Sequence, residues 1–194
     1  MFSNQLKLVA KTIAIAALAL TATGGSSLAL AHGSHHSSHK DKIVFSVDVA
    51  EDFTLFNPTL VKPTDTQPER GSFFVTEGNI YPAGTIKGDG ASFDPTTTGS
   101  LGRWFCRGTH LVPASAIPDA AFWVQTAQAF LLPDDTRSIA TEGVEGNGTV
   151  VRTITGGTGK YSGYVGEQRQ EFLGFNSTGG VNLRVTFVLK KTAR

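Results

Sequence analysis

The chain is poor in the residues that build several common kinds of site. Of its 194 residues one is cysteine, five are histidine, and charged residues make up only 17%. A single cysteine, Cys106, excludes an intrachain disulfide and any cysteine-built zinc or iron–sulfur centre. The formal net charge is +1, so the basic excess of a dedicated nucleic-acid binder is missing. Four of the five histidines crowd into His32, His35, His36 and His39, leaving His110 for everything downstream. One imidazole cannot make a three-histidine zinc site inside a fold. No apolar run is long enough to span a bilayer comfortably. What is plentiful is phenylalanine, with 13 residues, and glycine, with 22. The first supplies a core, and the second suits a protein of many strands and turns.

The amino terminus reads as an address label. Lys7 and Lys11 precede the apolar run Thr12–Leu20, and small residues lead to Ala29-Leu30-Ala31. This is the pattern of a secretory signal peptide over residues 1–31, so a secreted or periplasmic protein is expected. Cleavage after Ala31 removes both lysines and no acid, lowering the formal net charge of +1 by two. No membrane span is expected after that cut. Residues 32–41 are polar, glycine- and serine-rich, and carry the four clustered histidines. They read as a tail outside the fold, with loose metal binding by His32, His35, His36 and His39 as the alternative. The folded domain is expected over 42–194.

From Lys42 onward, β-branched and aromatic runs alternate with Gly, Pro, Asp and Asn punctuation. Eight strands are expected: Ile43–Val49, Ser72–Tyr81, Gly102–Leu111, Ala121–Leu132, Ser138–Val144, Thr149–Thr155, Tyr161–Phe172 and Val181–Leu189. The last has the cleanest alternation, with Val181, Leu183, Val185, Phe187 and Leu189 on one face. Asn147-Gly148 and Thr178-Gly179-Gly180 favour tight turns. The two long connections, Thr54–Arg70 and Pro82–Leu101, are of the kind that rim or cover a site. Eight hairpin-linked strands must hide their edges, and closure into an all-β, eight-stranded antiparallel up-and-down barrel does so. A two-sheet sandwich has the same period and stays open at this stage.

The most distinctive stretch is Ile154-Thr-Gly-Gly-Thr-Gly-Lys-Tyr-Ser-Gly163. It is not a nucleotide loop. A Walker A motif would need glycine where Ile154 stands and Ser or Thr where Tyr161 stands, and G-x-G-x-x-G fails at Ser162. The glycines read as a sharp corner between two strands. With Gly166-Glu167 after it, this stretch resembles the signature of allene oxide cyclases and dirigent proteins. Gly78–Ile86 and Gly102–Gly108 are similar to segments of exported bacterial members of the allene oxide cyclase barrel-like group. The resemblance covers about Ile43 to Leu189. It implies a lipocalin-shaped barrel, often a homotrimer, that holds a hydrophobic small molecule in one conformation and guides its cyclisation or isomerisation without a cofactor. It also implies a carboxylate on the first strand, a place that Asp48 or Glu51 fills, although no asparagine follows two residues after either.

Site candidates follow from the strand runs. Most charged strand residues, including Glu142, Arg152, Glu167, Arg169 and Glu171, are expected on the wetted outer face. Glu77 and Arg107 have aromatic neighbours and are expected to pair near the mouth as the catalytic groups, with Tyr81 and Trp104 as ligand walls. Cys106 and Phe187 complete the expected ligand contacts. Cys106 reads as a small buried hydrophobe or, alternatively, as an activated thiol. His110 is four residues away along an extended strand, too far to serve it as a base. Three classes therefore stay open: a cofactor-free cyclase or isomerase, a carrier using the same cavity, and a barrel packed solid.

Overall fold

The computed structural model describes residues 42–133, 136–146 and 148–192. The expected signal peptide, the four clustered histidines and Asn147 of the expected hairpin lie outside the described residues. Nine strands form one antiparallel sheet: β1 (Lys42–Glu51), β2 (Asn57–Thr59), β3 (Phe73–Pro82), β4 (Gly102–His110), β5 (Phe122–Leu131), β6 (Ser138–Gly146), β7 (Val150–Gly157), β8 (Tyr164–Phe175) and β9 (Val181–Lys191). Strands β3 to β9 follow one another as neighbours, and β1 pairs with both β9 and β3. That double pairing closes eight strands into an up-and-down barrel and settles the choice against a sandwich. Closure leaves no free edge among the eight.

The eight expected strands are all present, displaced by a few residues at their ends. The ninth, β2, lies inside the first long connection. Strand β1 covers only the Gly78–Pro82 part of β3. The chain then leaves the sheet in a short 3-10 turn, Phe53–Leu55, in which the Asp52 carboxylate accepts the Thr54 N–H at 3.0 Å. It rejoins as β2 against Phe73–Val75. A local side-chain cap interrupts the strand, which period alone could not show.

Alternation divides each strand into an inner and an outer face. One end of the interior is filled with rings. Phe187 lies 4.9 Å from Phe130 and 5.0 Å from Phe45, centroid to centroid, and Phe45 stacks on Tyr161 at 5.9 Å. Leu189, Ile139 and Ile154 pack among them, each almost wholly buried. The second long connection folds over the outside of the barrel. Its Ile86 and Phe93 cover Ala50 and Tyr81, making a small second core on the outer face of β1 and β3. There the fully buried Asp48 accepts the Ile86 N–H at 2.9 Å and pairs with Arg184 Nε at 2.9 Å.

The glycine-rich stretch is the corner between β7 and β8. Gly159 has φ +58°, and the 3-10 turn Gly159–Tyr161 tucks Tyr161 under the ring-filled end. At Gly157 a Cβ would lie 2.7 Å from the Tyr161 Cβ and 2.9 Å from the Ser138 carbonyl oxygen. Gly157→Ala should therefore push the plug out of place and lower stability by about 1–3 kcal/mol, as overpacking in a closed interior does. Thermal melts of the two proteins would measure it, and an unchanged melting temperature would show that the corner yields freely.

Candidate functional site

The other end of the barrel is open inside. A cavity of about 260 Å³ lies between the strands and the segment 53–68. That size is just below the range of about 300–1,000 Å³ usual for drug-sized ligands and suits a smaller molecule. A row of rings forms one side: Phe53 to Phe56 at 5.1 Å, Phe56 to Phe74 at 5.4 Å, and Phe74 to His110 at 5.7 Å. Trp104, Trp123, Phe172 and Phe175 line other parts, with Leu183 and Val181 from β9. The register of β5 shifts against β6 between Phe122 and Val124. This irregularity falls at Trp123, which lines the cavity although Val124 beside it is also buried in the core.

Two carboxylates project into this apolar space. Glu51 ends β1 and is 6% exposed. Its Oε1 accepts the Thr76 hydroxyl at 2.6 Å and its Oε2 accepts the Val181 N–H at 3.0 Å. Burial nonetheless raises its pKa from the ordinary carboxylate value; those two bonds oppose the shift, and the Glu145 charge adds to it. Glu145, on β6, has an ion-pair partner behind it. The Arg152 side chain is fully buried and donates from Nη1 to Glu145 Oε1 at 3.0 Å and from Nη2 to the Thr126 carbonyl at 2.9 Å. The same Oε1 accepts the Thr126 hydroxyl at 2.6 Å and Gln128 Nε2 at 3.0 Å. Burial pulls the Arg152 pKa down, and Glu145 holds it up. A buried arginine of this kind needs its partner, because an unpaired charge there is strongly destabilising.

His110 ends β4 in the cavity wall, with Nδ1 buried and unbonded. Burial depresses its pKa, so the ring is neutral at neutral pH. Cys106 also lines the cavity, and burial drives its pKa well up, with Glu145 adding to the effect. Burial thus favours the protonated thiol, in keeping with the reading of Cys106 as a small buried hydrophobe.

The expected site is reached in part. Trp104 and Cys106 are cavity walls. Phe187 belongs to the ring-filled floor, away from the cavity. Tyr81 is wholly buried but on the outer face, where its ring meets Phe93 at 5.0 Å and its hydroxyl donates to the Pro95 carbonyl at 3.3 Å. Glu77 and Arg107 do not pair and do not reach the interior. Parity puts them on the outer face with Phe73 and Val75, and Glu77 pairs instead with Arg103. Aromatic neighbours in sequence were a poor guide, because adjacent strand residues point to opposite faces. Parity would have found the inner groups: Arg152 shares a face with Val150 and Ile154, and Glu145 with Ile139 and Thr141. Of the two carboxylates on the first strand, Asp48 faces outward into its ion pair and Glu51 faces inward.

A group whose folded pKa is raised stabilises the fold below its unfolded pKa, and that contribution is lost as pH rises through the folded pKa. Glu51 should therefore make the wild type lose melting temperature relative to Glu51→Gln as pH rises above the ordinary carboxylate value of about 4. The depressed His110 acts the opposite way, losing its contribution as pH falls, but both proteins share it and it cancels. Parallel melting curves over that rise in pH would mean that the Glu51 carboxylate is not penalised by burial.

No protein-family model matches the chain, and no curated protein is similar to it in sequence. Solved structures do share its shape. A pyocyanin demethylase superposes with a TM-score of 0.51 at 15% identity, over 75% of this chain and 99% of that one. Two pterocarpan synthase dirigent proteins superpose with TM-scores of 0.59 and 0.54, each at 9% identity. They cover 81% and 86% of this chain, and 99% and 100% of their own. At such identities the likeness is one of fold, and the dirigent-like barrel expected from the glycine-rich stretch is the fold these structures have in common with this chain.

Proposed function

We propose that this protein is an exported barrel that takes a small, largely apolar molecule into its one-ended cavity and guides its isomerisation or cyclisation without a cofactor. The observation that carries the reading is the cavity itself. It is about 260 Å³, walled mainly by rings and aliphatic chains, and reached by two carboxyl groups in different environments. A site of that composition fixes a ligand's fold by shape and its orientation by a few polar contacts. Glu51, biased toward its neutral form, is placed to give a proton. Glu145, held by Arg152, is placed to accept one. One carboxyl biased by burial toward its neutral form and another held by an arginine are arranged as an acid and base pair would be. The neighbours of similar fold are named for a demethylation of pyocyanin and for pterocarpan synthesis, both acts on small molecules. The cavity supports a barrel that binds a ligand over one packed solid. The carrier reading uses the same cavity and differs only in lacking turnover.

Native mass spectrometry of protein purified from its source should detect a bound small molecule. Leu183→Trp, which fills the cavity from β9, should abolish it. For a probe such as 2-naphthalenemethanol, calorimetry should show the same variant at least about tenfold weaker. Glu77→Gln and Arg107→Met lie outside the barrel and should bind the probe as the wild type does. Equal binding by Leu183→Trp, or loss of binding in the two outer variants, would overturn the assignment of the site.

A further inference from the structure

The cavity has a charge character that its apolar walls conceal. Among the described residues, Glu51 and Glu145 line it, and no lysine or arginine does. Arg152 stands behind Glu145 with its charge already committed to that carboxylate and to the Thr126 carbonyl. A ligand entering this space meets two carboxyl groups and no accessible cation.

The open valence of Glu145 points the same way. Glu145 Oε1 accepts three donors, from Thr126, Gln128 and Arg152, while Oε2 has no partner among the described residues. His110 is 8% exposed, lines the cavity, and its Nδ1 has no partner. It is neutral and adds no positive charge. The indole N–H groups of Trp104 and Trp123 are also unpartnered, and they too are uncharged. Much of the remaining wall is aromatic, including Phe56, Phe74, Trp104, Trp123 and Phe172, with aliphatic chains between them. Ring faces attract cations, most strongly when water is excluded.

We propose that the ligand of this cavity is an apolar molecule carrying one cationic nitrogen, with the nitrogen at Glu145 Oε2 and the apolar body against the rings. This rests on the cavity being a ligand site and adds the class of ligand. Fatty acids and other carboxylates are disfavoured, because their head group would sit beside the Glu145 carboxylate in a poorly solvated space, with Arg152 already committed to Glu145 and the Thr126 carbonyl. A neutral alcohol of the same shape fills the rings but forgoes the charge-assisted bond.

Three probes with one ring system test it: 2-naphthalenemethylamine, 2-naphthalenemethanol and 2-naphthoate, titrated by calorimetry into the wild-type protein near neutral pH. The amine should bind at least about tenfold more tightly than the alcohol, and the carboxylate more weakly than both. The double variant Glu145→Gln/Arg152→Met removes the ion pair together, so that no lone buried charge remains. In that variant the amine should bind no more tightly than the alcohol does. If the alcohol or the carboxylate binds as tightly as the amine, the cationic class is wrong while the cavity remains a ligand site. An amine preference retained in the double variant would overturn the placement at Glu145. If none of the three binds, the ligand-site reading fails and this inference with it. The wild-type series decides the ligand class even if the double variant does not fold.

Discussion

The double pairing of β1 is the constraint on which the rest of the structure depends. One strand of ten residues bonds to β9 along most of its length and to β3 through its last five positions. Without it, a seven-stranded meander would expose two edges and a whole apolar face. With it, every second residue of eight strands is delivered to a single interior. The interior is then divided by how its rings pack. Phe45, Phe130, Phe187 and Tyr161 meet at one end and fill it, while at the other the rings of Phe56, Phe74, Trp104, Trp123 and Phe172 stand around a space, where the register of β5 against β6 shifts. The cavity is a consequence of closure combined with uneven packing.

Closure also explains the cost carried by the site. Once the barrel is shut, any polar residue of inner parity is taken out of water. Arg152, Glu145, Gln128, Gln168 and Gln170 are all in that position, and they survive there by bonding to one another. An apolar layer of the same volume would hold the barrel at least as well. A buried polar layer kept at the base of an otherwise apolar cavity is therefore more readily understood as serving what enters the cavity than as serving the fold. Glu51 is linked to the same region by charge, through the influence of Glu145 on its titration, and to the rim by bonds to Thr76 and Val181. The two carboxyls are thus supported by different elements, β1 and β6, and brought to one space only because the sheet returns on itself.

Much of the fold was legible in the residues. The alternation from Val181 to Leu189 identified an inner face that the structure reproduces, and the mismatch of the Gly156–Ser162 stretch with nucleotide loops identified a corner. The interruption after Glu51 was not legible, since it depends on a single Asp52 cap. Nor was the outer core, since it forms only when a distant loop lies across Ala50 and Tyr81. The candidate site was legible in Trp104 and Cys106 and misjudged in Glu77, Arg107, Tyr81 and Phe187. Aromatic neighbours suggested burial for Glu77 and Arg107, but it is the residue two positions away, not the next one, that shares a side chain's surroundings in a strand. Phe187 had the right parity and the wrong depth, because parity gives the face and says nothing of the level along the barrel axis.

By itself, the sequence determined the local quantities. Period, turn residues and the scarcity of cysteine and histidine specified strands, corners and the absence of several chemistries, because each follows from one residue and its close neighbours. Parity put Arg152, Glu145 and Glu51 each on a face, but tertiary structure alone decided that these faces meet in one interior, at which depth each lies, and that Gln128 and Gln170 join them there. Those outcomes depend on register and on the depth at which each strand crosses its neighbour. Both are set by the closed sheet as a whole, and no short stretch of chain contains them.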